Sequence, residues 1–179
     1  MHTLIHQLEK PNVFENAFDL IMQLEGGYVV DPCDSGGATK YGISQKSYPN
    51  IAVQDLTQED AKALYLRDYY SPCQCDSLPE SLAVLLFDTA VNMGVGTAAK
   101  LLQKVVNTTS DGVIGPKTLA ATHTKCRQDL SAVIDEYQSH RALSYANIVT
   151  RHPKNRRFLR GWLKRQFIVQ SHIAYKAIG

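Results

Sequence analysis

With 179 residues, 44% of them hydrophobic, the chain can fill the core of one domain or of a domain with a small appendage, which excludes a disordered segment. Its longest apolar run, Leu82 to Phe87, stops at Asp88, far short of the ~20 residues that span a bilayer, so stable membrane insertion is excluded as well. The formal net charge of +2 conceals a split: residues 1–90 carry 5 Lys/Arg against 13 Asp/Glu, and residues 91–179 carry 14 against 4.

The N-terminal stretch Met1 to Lys10 holds an acid and has no apolar segment with a small-residue cleavage site, so no secretory signal is expected. Asn12 to Glu25 reads as the first helix. Phe14, Phe18, Ile21, Met22 and Leu24 follow helical spacing, Asn12 is the N-cap candidate, and Gly26-Gly27 ends the run. Residues 28–44 hold a proline and several glycines among aromatic and β-branched residues, which predicts an irregular loop with a short hairpin. Thr57-Gln-Glu-Asp60 has the form of a capping box with Asp in place of Glu. The helix it opens carries Ala61, Leu64, Tyr65 and Tyr69 on one side and stops at Pro72.

Pro79 opens the next helix, with Leu82, Leu85, Leu86, Thr89 and Met93 inward, and Gly94-Val-Gly96 breaks it. Thr97 to Val106 is a further helix, Asp111-Gly112 a turn, and Gly115-Pro116 the start of a short helix with Pro in its first turn. Arg127 to Thr150 reads as a long helix ended by His152-Pro153. Asn155 to Ala177 reads as a last helix or pair of helices, with Phe158, Trp162, Phe167 and Ile168 as packing residues. Six or seven helices and one small β element, with no alternation of strand and helix, make a mainly α fold. The best candidate seam lies near residues 94–112.

The basic residues Arg151, Lys154, Arg156, Arg157, Arg160, Lys164 and Arg165 cluster near the C-terminus. Such a surface suits a polyanion such as nucleic acid, anionic lipid or bacterial wall, or it is a solvated face balanced by the acidic half. Cys33, Cys73, Cys75 and Cys126 do not form a disulfide framework, and Cys73-Gln-Cys75 has no second pair at zinc-site spacing. They are expected to be reduced thiols. The six histidines show no paired ligand spacing, and phosphate-loop, dinucleotide and Gly-x-Ser-x-Gly patterns are missing. No metal or organic cofactor is expected.

The chemistry-bearing constellation begins at Glu25. A carboxyl at the end of an apolar helix, beside a partly apolar cleft, suits a group that must carry a proton to a glycosidic oxygen. Asp34 supplies a second carboxylate nine positions on, and Thr39 a hydroxyl able to hold a water. The glycines at 36, 37 and 42 would let backbone approach a sugar chain closely. The same residues also suit a tight turn that satisfies its own amides. Asp88 and Asn92, one helical turn apart, either line the cleft or satisfy buried partners. Tyr28, Tyr41, Tyr69 and Tyr70 are candidate sugar-stacking walls, with core packing as the alternative for each.

The segment Glu25-Gly-Gly-Tyr-Val-Val-Asp-Pro-Cys-Asp-Ser-Gly-Gly-Ala-Thr-Lys-Tyr-Gly-Ile-Ser44 resembles the signature of glycoside hydrolase family 108, phage endolysin-type N-acetylmuramidases. Leu56 to Tyr70 and Phe87 to Gly94 are similar to the family too. Asp111-Gly-Val-Ile-Gly-Pro-Lys-Thr-Leu119 resembles the peptidoglycan-binding helical region that follows in it, and Phe158 to Leu163 its closing motif. The likeness covers roughly residues 12–170. It implies a lysozyme-like helical fold with a small β-hairpin next to the active-site helix. It also implies a catalytic part over 12–95 and a peptidoglycan-binding-like part over 96–179.

By that resemblance Glu25 is the general acid. A looser likeness to phage lysozymes makes Asp34 the base or charge stabiliser and Thr39 the residue that positions water. Tyr28, Tyr41, Asp88 and Asn92 become substrate contacts. Cys33 departs from the acidic or polar residue expected there and offers an oxidation point beside the cleft. The implied activity is cleavage of the β-1,4 bond between N-acetylmuramic acid and N-acetylglucosamine. Lytic transglycosylation and a non-catalytic wall-binding or secretion-accessory role are the alternatives, and nucleic-acid binding ranks last. The chain is expected to be made in the cytoplasm and to reach the periplasm or wall after release, with a holin, another export system or an immunity protein as candidate partners.

Overall fold

The structure is a computed structural model; it describes residues 13–25 and 39–176, with side chains through residue 174. Helix α1 (Val13–Glu25) is followed by a hairpin of β1 (Thr39–Lys40) and β2 (Ile43–Ser44). Then come α2 (Gln58–Tyr65), α3 (Glu80–Met93), α4 (Val95–Val105), α5 (Pro116–Arg151) and α6 (Arg156–Lys176). This is the mainly α, lysozyme-like fold expected from the sequence. The predicted N-cap Asn12 lies outside the described residues.

Helix α3 is the axis. Every residue from Leu82 to Ala90 is buried, so this stretch has no solvent face, and α1, α4, α5 and α6 all pack on it. Burying each of Leu82, Leu85, Leu86 and Phe87 contributes about 1.5–3 kcal/mol. The two polar residues in this run both have partners: the Thr89 hydroxyl donates to the Leu85 carbonyl at 2.8 Å, and Asp88 is ion-paired to two arginines. Phe87 anchors an aromatic cluster in which Phe14 of α1 meets Tyr70 at 4.9 Å and Phe18 meets Tyr65 at 5.7 Å, mostly tilted or edge-on. One core then runs from Phe14 to Ile173 and crosses the candidate seam at residues 94–112.

Local signals behave as physical chemistry dictates. Thr57 and Asp60 form the reciprocal capping box: the Asp60 N–H donates to Thr57 Oγ1 at 3.1 Å and the Thr57 N–H to Asp60 Oδ2 at 2.9 Å. Aspartate therefore serves where glutamate is usual. Past Tyr65 the helix widens into a π turn over Leu66–Tyr70, closed by the Ser71 N–H on the Leu66 carbonyl, which turns Tyr70 into the core ahead of Pro72.

The C-terminal half follows the expected helices, with one correction to which of its apolar residues pack inward. The short helix expected at Pro116 and the long one expected from Arg127 are both present, run together as α5 and separated by a kink at Asp129, where φ is −161° and ψ 97°. Asp129 Oδ1 accepts the Ala132 N–H at 2.9 Å and so caps the second half. Of the two forms expected for the final segment, a helix or a pair, it takes the single helix. It buries Gln166, Val169 and Ile173, whereas Phe167 is 67% exposed, with Phe158 and Ile168 also at the surface. Apolar character alone does not fix the face, since much of any folded surface is apolar.

The Asp111-Gly-Val-Ile-Gly-Pro segment is a clamp. Buried Gln103 donates to Asp111 Oδ1 (2.7 Å) and the Val113 carbonyl (3.0 Å) and accepts the Gly112 N–H (2.9 Å). The motif fixes the approach of α5 to α4. Cys73, Cys75 and Cys126 are free thiols, the first two buried.

Candidate active site

Glu25 is the last residue of α1, whose apolar stripe (Phe14, Ala17, Phe18, Ile21) seats it against the core. Its side chain is 22% exposed, enough to meet a substrate from one side. Arg165 of α6 donates Nη1 to Glu25 Oε1 at 2.5 Å and Nε to Asp88 Oδ1 at 2.7 Å. Asp88 Oδ2 lies 2.7 Å from Arg141 Nη2 of α5, an ion pair whose alignment is poor for a hydrogen bond. Arg141 Nε in turn donates to the Tyr145 hydroxyl at 2.9 Å, and that hydroxyl donates to Asn92 Oδ1 at 2.7 Å. The result is a line of alternating charge, Glu25, Arg165, Asp88, Arg141, ending at a tyrosine and an amide.

Two carboxylates offset two guanidiniums, which is what makes burying four charges tolerable. Burial works against the charge on Arg165, but Asp88 and then Glu25 outweigh it and hold the guanidinium more firmly protonated than usual. The same contest at Arg141 is won by Asp88 and Tyr145.

The hairpin forms the other wall. Thr39 pairs with Ser44 and Lys40 with Ile43, leaving the two-residue turn Tyr41-Gly42, both with positive φ (53° and 74°). A Cβ on Gly42 would sit 2.6 Å from the Tyr65 hydroxyl and 2.9 Å from Glu25 Oε2. Glycine is required there, and Oε2 therefore rests against the turn while Oε1 is held by Arg165. The Tyr65 hydroxyl donates to the Tyr41 carbonyl at 2.9 Å. Burial, followed by the charge of Glu25, pushes this phenol far above its ordinary pKa and keeps it a donor.

Of the residues singled out from sequence, Glu25 lies against the turn that holds Tyr41 and Gly42. Thr39 is half-buried in β1, and among the described residues nothing bonds its hydroxyl. Asp34 and Tyr28 lie outside the described residues, as does Cys33. Asp88 does not fit the role of substrate contact: it is 0% exposed and spends both oxygens on arginines, so it acts through Arg165. Asn92 accepts from Tyr145 and reaches a cavity at the end of α3.

Arg165, Arg141 and Tyr145 are members that sequence reasoning missed. In sequence Arg165 belongs to the basic cluster near the C-terminus, with nothing to set it apart. The readable signal is Arg141, which falls on the inward stripe Val133, Ile134, Tyr137, Arg141, Tyr145 of α5. A charge on an apolar stripe announces a buried partner. Among the described residues no group of three or more His, Cys, Asp or Glu side chains converges as a metal site would require.

Comparison with known proteins gives the chain a family. Residues 18–94 match the family model described as Glycosyl hydrolase 108, and residues 97–167 match the one described as Predicted Peptidoglycan domain. The solved structure of Brucella abortus SagA is 32% identical, covers 90% of this chain and 94% of its own, and superposes with a TM-score of 0.78. No curated protein matches. The chain belongs to glycosyl hydrolase family 108, as a peptidoglycan hydrolase whose second half is the peptidoglycan-binding segment.

Proposed function

We propose that the chain is an N-acetylmuramidase, cleaving the β-1,4 bond between N-acetylmuramic acid and N-acetylglucosamine with Glu25 as general acid. The observation that supports this most is the division of labour on Glu25. Oε1 is tied to Arg165, and Oε2 rests against the Tyr41-Gly42 turn of the hairpin whose first strand holds Thr39. Oε2 is then the oxygen that carries the proton to the leaving sugar oxygen as positive charge grows at the anomeric carbon. Asp34, by its spacing from Glu25, assists the attacking water, and Thr39 positions that water. Arg165 holds the acid in place and does not itself touch the bond.

The hydrolase acts on the wall after release from the cytoplasm, as an endolysin does, which calls for a holin or another export route. Glu25→Gln is expected to lower clearing of permeabilised Gram-negative cells by about 10²–10⁴-fold while the far-UV circular dichroism is unchanged. Full activity in that variant would overturn the assignment. Mass spectrometry of digested sacculi separates the chemistries. Reducing muramyl ends support hydrolysis, and anhydro-muramyl ends replace it with transglycosylation.

A further inference from the structure

Beside the buried charge line lies a cavity of about 550 Å³ that the reaction does not use. It opens between the end of α3, α4, α5 and α6, and Asn92, Lys104, Tyr145, Asn147, Arg151 and Trp162 line it. Its volume is in the range that holds a small ligand. Two of its lining residues, Asn92 and Tyr145, also end the line of ion pairs and hydrogen bonds that starts at Glu25. Tyr145 stacks on Trp162 with ring centroids 5.2 Å apart and planes 21° from parallel, which makes a firm aromatic side.

The charge of the cavity is one-sided. Lys104 and Arg151 line it, no carboxylate does, and among the described residues neither cation has an ion-pair partner. Elsewhere in this site cations are matched: Arg141 and Arg165 each have an acid. Two unspent cations with side-chain amides and an aromatic wall suit a ligand that is anionic, amide-rich and partly apolar. The glycan backbone of peptidoglycan offers hydroxyls and acetamides, and its carboxylates belong to the stem peptide. We infer that this cavity binds the carboxylate-bearing stem peptide of peptidoglycan, so that the second half of the chain reads the peptide while Glu25 works on the sugar. The inference rests on the reading of the chain as a wall hydrolase and names what its peptidoglycan-binding segment recognises.

Trp162 is the only tryptophan, so its fluorescence reports the cavity directly. The Glu25→Gln protein is titrated with a soluble disaccharide–tetrapeptide muropeptide and with the same disaccharide lacking the peptide, its lactyl carboxyl capped as the amide. The peptide-bearing ligand is expected to shift Trp162 emission, and the bare disaccharide to leave it unchanged. Adding Lys104→Glu and Arg151→Glu, both at exposed positions, is expected to weaken muropeptide binding at least tenfold, with circular dichroism unaltered. Equal response to both ligands, or undiminished binding in the charge-reversed variant, would overturn the inference. So would an equal response to a short DNA duplex, which would mark the cations as a general polyanion surface. Because binding is read without turnover, a failure of Glu25 as the acid leaves this result intact.

Discussion

Arg165 and Glu25 lie 140 residues apart in the chain and 2.5 Å apart in space. The contact joins the segment that matches the hydrolase family to the segment that matches the peptidoglycan domain. Its guanidinium also holds Asp88, so a single side chain positions the exposed acid against the buried one. The second half of the molecule is thus part of the site and not only a wall anchor.

Arg165→Ala should therefore do two things. It leaves Asp88 buried with Arg141 alone and frees Glu25 Oε1. Breaking a buried pair from one side costs about 3–5 kcal/mol, readable as a lower urea midpoint with m unchanged. In the folded fraction kcat should fall with KM little altered, because Arg165 places the acid and does not hold the sugar. Arg165→Lys, which keeps the charge but cannot fork to both carboxylates, should lie between the two.

Gly42 and Gly161 make a matched pair. Gly42→Ala puts a methyl between Tyr65 and Glu25 at a φ of +74°, and is expected to destabilise by about 1–3 kcal/mol and to lower activity by displacing Glu25. Gly161 sits inside α6, where an added methyl would meet nothing within 4 Å, so Gly161→Ala should stabilise by about 0.5–1 kcal/mol and leave turnover alone. Thermal melts and turbidity assays on both variants check this, and an active, stable Gly42→Ala would mean that the turn does not press on Glu25.

Much of the site is legible in the sequence, for reasons that differ by residue. Glu25 and the hairpin are readable because a helix end followed by glycines and a hydroxyl is a local pattern. Thr57 and Asp60 are readable as a cap for the same reason. Arg165 is not: in sequence it is one cation among several in the stretch from Arg151 to Arg165, and only the packing of α6 on α3 selects it. The surface placement of Phe167 escapes sequence reading because the burial stripe Gln166, Val169, Ile173 is set by α3 and α5, and a glutamine leads it. The long second helix of α5 restarts at Asp129, two residues past the expected start at Arg127, because the Asp129 side chain caps it.

Acid should unfold the protein partly through Asp68. The Arg67 guanidinium beside it, aided by the Tyr48 hydroxyl, holds its carboxyl below the usual carboxylate range. A group depressed in the folded state stabilises above its unfolded value and loses that contribution as pH falls through its folded value. The stability of the wild type should thus be flat near neutrality and fall below about pH 4. Asp68→Asn should be less stable at pH 7 and fall less steeply in that window, measured by urea unfolding at stepped pH. Parallel acid limbs for the two proteins would remove Asp68 from the account.

Tyr65 ties the hairpin to the core at the point where the acid sits. Its hydroxyl donates to the carbonyl of Tyr41, a residue held at a φ of +53° that a non-glycine side chain adopts at some cost. Tyr65→Phe removes the donor but keeps the ring that packs edge-on against Phe18 and Phe87. The expected stability loss is therefore about 0.5–1.5 kcal/mol, that of one hydrogen bond and not of a cavity. Activity should fall further than stability does, because the turn that faces Glu25 Oε2 loses its tether while the acid itself is untouched. Steady-state kinetics beside a urea titration resolves the two effects. A variant whose kcat matches the wild type would show that the hairpin holds its place through its own strand pairing, Thr39 to Ser44 and Lys40 to Ile43.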